Sequence, residues 1–94
     1  MDQKTINKAC ELFKRVLELN EKAPKDIYYS FDFSGHTKQI DFTVRGLPGC
    51  EELERIYTYL DAPTLHISLD DIEMIIAAAE KRQEEELKNA SIPD

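Results

Sequence analysis

The side chains best suited to chemistry are two aspartates and a histidine within segment 27–45. Asp32 and Asp41 fall on the polar side of two strand-like runs, and His36 lies in the turn between them. Two carboxylates and an imidazole can bind a metal ion or share general acid and base roles, as in a small metal-assisted hydrolase. Alternating polar residues on the exposed face of a hairpin give the same pattern without any function. We therefore expect no enzyme, no metal site and no cofactor.

The same polar side chains predict a surface for a protein partner. Tyr28 could anchor a partner, since tyrosine is enriched at the centres of interfaces, although it is also common on half-exposed strands. The acidic run Glu84-Glu85-Glu86 is either a solvated helix face or a second contact. The predicted partner-binding residues are Tyr28, Asp32, His36, Asp41, Arg45, Glu84 and Glu85.

These side chains depend on a β-hairpin predicted from Ile27 to Arg45. Apolar and polar residues alternate in both halves of this segment, which is the strand pattern. Gly35 and His36 fit a two-residue type II′ turn, with glycine at the position of positive φ. A slip of one residue would place Asp41 among the aromatic side chains. The predicted pairs are Phe31 with Ile40, Tyr29 with Phe42 and Ile27 with Val44 on the apolar face, and Asp32 with Gln39, Ser30 with Asp41, Tyr28 with Thr43 and Asp26 with Arg45 on the polar face.

The hairpin segment resembles part of a group of small prophage-encoded proteins of Gram-positive bacteria. The resemblance is carried by Tyr29-Ser30-Phe31-Asp32-Phe33-Ser34-Gly35-His36 and by the following Ile40-Asp41-Phe42. It implies a phage or mobile-element accessory protein. No catalytic residues carry over from it.

A long helix is predicted before the hairpin, from about Asp2 to Lys22, because apolar residues recur there at three- and four-residue spacing. Leu12 and Leu19 widen the apolar stripe. We attribute this to a second helix of the same chain, with a subunit or partner contact as the alternative. Cys10 is expected to be a small buried residue. The predicted core face consists of Ile6, Cys10, Phe13 and Leu17, with Ala9 and Val16 beside them.

Two helices are predicted after the hairpin. The first runs from about Cys50 to Leu60 on the basis of its apolar spacing, and a short strand over 56–60 is the alternative. The last begins after an N-cap at Ser68 and leaves the body of the domain beyond Glu80, where apolar residues become sparse. The predicted fold is α+β, in the order α-β-β-α-α, with a two-stranded antiparallel hairpin packed on helices in a single domain over 1–90 and a disordered tail over 91–94.

Charge and composition restrict the function further. The net charge is −7, with +1 in residues 1–46 (eight basic, seven acidic) and −8 in residues 47–94 (four basic, twelve acidic). Such a surface repels phosphate, so we expect no direct nucleic-acid binding. It suits a basic protein partner, and one alternative is an acidic inhibitor that mimics nucleic acid on a basic surface. The sequence shows neither a membrane-length apolar run nor an apolar signal core, which predicts a cytoplasmic protein without membrane contact.

The two cysteines and the hairpin edges complete the expectations. Cys10 and Cys50 have no metal-binding spacing, and a disulfide between them is not expected in a reducing compartment. A two-stranded hairpin has two unpaired edges, which a two-fold partner could join into a four-stranded sheet. The sequence therefore predicts a non-enzymatic protein-protein interaction module that forms a homodimer.

Overall fold

The chain forms two helices and a three-stranded antiparallel sheet. The computed structural model describes residues 2–22 and 26–90, and the predicted disordered tail over 91–94 lies outside the described residues. The α+β class is confirmed. The predicted order α-β-β-α-α is wrong, because the observed order is α-β-β-β-α. The elements are α1 (Gln3–Lys22), β1 (Ile27–Ser34), β2 (Gln39–Gly46), β3 (Glu51–Tyr59) and α2 (Leu65–Ala90).

The hairpin of β1 and β2 lies where it was predicted, but its register differs by two residues. A loop over 35–38 replaces the two-residue turn, and the left-handed residue is Lys38, with a φ of 57°, instead of Gly35. This register pairs Phe33 with Ile40, whereas the predicted one would place Phe33 opposite a lysine. A shift of two residues keeps every side chain on its predicted face, so the apolar and polar faces are confirmed. The observed pairs include Phe31 with Phe42, Tyr29 with Val44 and Asp32 with Asp41.

β3 replaces the helix predicted over residues 50–60. It pairs antiparallel with β2, which becomes the central strand. Its second half, Ile56-Tyr57-Thr58-Tyr59, consists of β-branched and aromatic residues that suit a sheet. Pairing there also satisfies the backbone groups along the second edge of the hairpin. If two copies paired through their edge strands, the shared sheet would contain three strands from each copy, instead of the two from each copy that the sequence predicted.

α1 buries a different face from the predicted one. Leu12, Val16 and Leu19 are at most 3% exposed, whereas Phe13 is 46% exposed and Leu17 is 56% exposed. The reason is that α1 contacts both α2 and β1, so the residues facing the seam between these two elements are buried. The prediction that Leu12 and Leu19 pack within the chain is confirmed. The prediction that Cys10 is buried is wrong, because Cys10 is an exposed free thiol.

α2 begins earlier and packs further along the domain than predicted. It starts at Leu65, which is 7% exposed and belongs to the core, so Ser68 lies inside the helix and is not its N-cap. Beyond Glu80, Gln83 is still buried, and its Nε2 donates to the carbonyl of Leu19 at 3.0 Å. This carbonyl belongs to the last turn of α1, where backbone acceptors have no partner inside the helix.

Asn20, near the end of α1, forms two hydrogen bonds with the outer edge of β1. Its Nδ2 donates to the carbonyl of Tyr29 at 2.6 Å, and its Oδ1 accepts from the Tyr29 N–H at 2.8 Å. The backbone groups of Tyr29 therefore point away from β2. Because these directions alternate along an antiparallel strand, Phe31 and Phe33 also direct their backbone groups outward.

Candidate interaction surfaces

The helices cover one face of the sheet, and the predicted polar residues lie on the other, which we call the open face. Apolar residues such as Phe42 and Ile40 are buried under the helices. Between them in sequence, alternate residues of the three strands point to the open face. It carries Tyr28, Asp32, Asp41 and Arg45, together with Arg55, Tyr57 and Tyr59, which the sequence analysis had assigned to a helix.

Asp32 and Asp41 are directly opposite each other, closer than the diagonal arrangement that the predicted register implies. Arg55 on β3 binds Asp41 through two hydrogen bonds, from Nε at 3.3 Å and from Nη2 at 2.8 Å. This bond and the charge of Asp41 raise the pKa of Arg55. A cation would compete with Arg55 for one of the two carboxylates. Only the pairing of β3 with β2 brings Arg55 to this position.

His36 lies in the exposed loop beyond this aspartate pair. The structure thus brings together two members of the suggested hydrolase triad and places the third in the connection between their strands. Within residues 2–22 and 26–90, no group of three or more potential metal-binding side chains was found.

Tyr28 and Arg45 form a cross-strand pair at the opposite end of the hairpin. Arg45 donates from Nη1 to the carbonyl of Cys50 at 3.2 Å, and its Nη2 lies 4.0 Å from Glu52. Arg45 therefore supports the turn before β3. The five predicted residues of the hairpin are spread along its whole length and do not form one cluster.

Glu84 and Glu85 lie in the helical layer, near the end of the molecule where β3 begins. A cleft of about 210 Å³ is lined by Leu53 from β3, Glu86 from α2 and Asp26 from the start of β1, with Arg82 also on its wall. It brings the acidic start of β3 close to the acidic run of α2. We call this region the acidic end, and its exposed members are Asp26, Glu51, Glu52, Glu54, Glu84, Glu85 and Glu86.

An apolar groove of about 350 Å³ lies between α1 and the half of the hairpin nearest its loop. Ile6, Cys10 and Phe13 line it from α1, and Phe31 and Phe33 line it from β1. The rings of Phe13 and Phe31 meet edge to face, with centroids 6.0 Å apart. The groove continues an exposed apolar stripe of α1 that the sequence analysis placed in the core. The sequence analysis recognised that the apolar arc is wider than one packing face needs, but it treated Leu12 and Leu19 as the additional side, whereas the structure buries these two residues and exposes Phe13 and Leu17.

Comparison with other proteins adds no family or relative to this description. Among the helices within residues 2–22 and 26–90, none is long and apolar enough to cross a membrane. Comparisons with protein-family models, with curated proteins and with solved structures found no match to this chain.

Proposed function

We propose that this chain is a non-enzymatic interaction module whose acidic end binds a basic surface of a partner protein. The observation that supports the proposal is the cleft lined by Leu53 of β3 and Glu86 of α2, which brings the acidic segments 51–54 and 84–86 to the same end of the molecule although they are far apart in sequence. Both segments belong to regular elements, so the backbone positions of their glutamates are fixed by the fold. A concentrated negative surface attracts and orients a basic partner, and salt screens the attraction.

The open face supplies a second part of the proposed surface. Tyr28 and Arg45 lie at the acidic end, because β1 begins there and β2 ends there. Tyrosine and arginine are the side chains that most often carry binding energy at interfaces. Asp32 and Asp41 lie closer to the loop and His36 lies within it, so we assign these three residues to the margin of the contact.

An acidic inhibitor that occupies a nucleic-acid-binding surface is the narrower form of this proposal. The carboxylates of the acidic end, on a strand and a neighbouring helix, would take the place of phosphates. A phage or mobile-element origin, as implied by the resemblance of the hairpin, would suit such a role and stays a prediction. The small hydrolase has less support, because Arg55 already binds one of its two carboxylates.

A short fluorescent oligolysine is the first probe, with binding followed by fluorescence anisotropy at several salt concentrations. The test variant is Glu84→Gln/Glu85→Gln/Glu86→Gln. Its control is Glu11→Gln/Asp61→Asn/Asp71→Asn, which changes the net charge equally at exposed positions away from the acidic end. Three exposed charge pairs at about 0.5 kcal/mol each correspond to about tenfold weaker binding.

We expect about tenfold weaker binding of oligolysine to the acidic-end variant and a much smaller loss of binding in the control. Equal losses in both variants would show attraction by net charge alone and would contradict a site at the acidic end. The nucleic-acid mimic further requires that binding to its natural target weaken steeply with salt. An affinity independent of ionic strength would contradict the mimic.

A further inference from the structure

An apolar stripe on the outer side of α1 is not explained by the acidic end. Ile6 is 36% exposed, Phe13 is 46% exposed and Leu17 is 56% exposed, and Cys10 between them is also exposed. None of these four side chains is charged. Phe33 of β1, at 58% exposure, continues the stripe across the groove. We call Ile6, Cys10, Phe13 and Leu17 the α1 stripe.

The spacing of the α1 stripe indicates what covers it. Successive members are four, three and four residues apart, which is the spacing of the a and d positions in a two-helix seam. A stripe of this kind is suited to packing against another helix, whose side chains fit between its own. Within the described residues, α2 packs on the other side of α1 through Lys8 and Arg15. Since α2 occupies the other side of α1, a helix that covers the stripe would come from another molecule.

Strand addition at the neighbouring edge of β1 is disfavoured. Asn20 already binds the outward N–H and carbonyl of Tyr29, which leaves Phe31 and Phe33 as the next outward-facing positions. Antiparallel pairing of Phe31 with Phe33 of a second copy would place Asp32 opposite its own counterpart, and like charges directly opposite are destabilising. This edge, one of the two that the sequence analysis considered for self-association, is thus poorly suited to it.

We propose that the α1 stripe is the seam of a homodimer in which α1 packs antiparallel against α1 of a second copy. An isologous contact needs one self-complementary patch, and an uncharged stripe meets itself without repulsion. The antiparallel direction follows from charge, since each chain carries −7. It places the acidic ends of the two copies at opposite ends of the dimer, whereas parallel packing would bring them together.

The seam has a defined register. Antiparallel packing centred on the stripe places Ile6 against Leu17 of the second copy, and Cys10 against its Phe13. The two Cys10 residues then lie on either side of the two-fold axis, about 4.5 Å apart along the helix direction at a rise of about 1.5 Å per residue. The patch is small, so we expect micromolar affinity and a monomer–dimer equilibrium.

Cysteine cross-linking tests this arrangement directly. With Cys50→Ser, Cys10 is the single thiol, and a short bismaleimide should convert most of the protein at high concentration to a covalent dimer. The matched control carries Cys10→Ser, Cys50→Ser and Met74→Cys, because Met74 is 69% exposed on α2. It should remain monomeric under the same treatment. Absence of cross-linking through Cys10, or equal cross-linking of the control, would overturn the proposal.

Light scattering after size exclusion provides the second measurement. The mass of the wild-type protein should rise towards that of a dimer with concentration, and Leu17→Glu should keep it at the monomer mass. Ile67→Glu, at a position 51% exposed on α2, should leave dimerisation unchanged. Circular dichroism of both variants should show the helical content of the wild-type protein, as a control for folding. A wild-type monomer at every concentration, or a Leu17→Glu variant that still dimerises, would refute a homodimer through the α1 stripe.

Discussion

Lys8 holds two carboxylates of α2 at once. Its ammonium donates to Asp70 at 2.8 Å and to Glu73 at 2.9 Å, and Arg15 adds a bond to Glu80 at 3.1 Å. The hydrogen bonds from Lys8, together with its charge, lower the pKa of Asp70 and of Glu73. The same contacts raise the pKa of Lys8. These ion pairs join α1 and α2 side by side, from Lys8 to Arg15 on α1 and from Asp70 to Glu80 on α2.

We expect these ion pairs to make the free energy of unfolding depend on pH in the acidic range. A carboxyl whose pKa is lowered by folding contributes its full stabilisation above its ordinary pKa, and loses it as the pH falls through the lowered value. The ordinary values are 3.8 for Asp70 and 4.5 for Glu73, so the loss begins near the higher of these. Urea unfolding at a series of pH values should show a shallower acidic decline for Lys8→Met than for wild type.

Lys14→Met is the control for this measurement. Lys14 also faces a glutamate on α1, but its Nζ lies 4.0 Å from Glu18 and both side chains are more than half exposed. Its variant should keep the wild-type pH dependence. If Lys8→Met and wild type decline in parallel, the bonds between Lys8 and α2 do not contribute in solution.

Among the elements, β3 shows most clearly how pairing overrides a local pattern. Residues 53–60 have apolar spacing that fits a helix and a composition that fits a strand. The backbone groups of Tyr29 point away from β2, and backbone directions alternate from residue to residue along an antiparallel strand. Followed through the observed register, this alternation directs the backbone groups of Ile56 and Thr58 towards β2 and those of Tyr57 towards the free edge of β3. The Leu60 N–H, which donates to the Lys38 carbonyl at 2.9 Å, fits the same alternation.

Proline substitutions test this alternation at the level of the element. Tyr57→Pro removes an outward N–H and should be tolerated, as proline is on edge strands. Ile56→Pro removes a bond to β2 and should cost about 2–4 kcal/mol more. Ile56→Ala serves as the control for the lost side chain. Chemical denaturation of the three variants gives the difference, and similar stabilities for the two proline variants would contradict the assigned hydrogen-bond directions.

At the scale of the whole molecule, stability depends on one side of the sheet. The core lies between the two helices and the apolar face, and Phe42 on the central strand is fully buried. The other face bears Tyr57, which is 55% exposed and packs on Arg55 and Tyr59. Exposed positions of the open face such as Tyr57 can therefore change for binding with little effect on the fold.

Paired truncations test the one-sided core. Phe42→Ala should reduce the free energy of unfolding by about 3–5 kcal/mol, since it leaves a cavity among packed side chains. Tyr57→Ala should reduce it by less than about 1 kcal/mol. Because a domain of this size has about 5–10 kcal/mol in total, Phe42→Leu provides a milder variant. Comparable losses for Phe42→Ala and Tyr57→Ala would show that the open face is also packed.

The candidate surfaces were predictable only where they depend on single elements. The acidic run at Glu84 and Glu85 is evident from composition, and the alternation of the hairpin assigns Tyr28, Asp32, Asp41 and Arg45 to one face. The bond between Arg55 and Asp41 requires β3, and the cleft shared by Leu53 of β3 and Glu86 of α2 requires the whole fold. Neither contact leaves a local signal, because its partners are distant in sequence.

Local sequence pattern was sufficient for the α+β class, the extent of α1 and the two faces of the hairpin, since side-chain periodicity follows from backbone geometry alone. Packing selected the hairpin register, the strand at 51–59 and the buried face of α1. Each of these had a locally acceptable alternative, and the choice came from contacts between distant elements: Phe33 with Ile40, β3 with the edge of β2, and Leu12 with the seam between α2 and the sheet. The energy of such contacts depends on burial, which no single segment specifies.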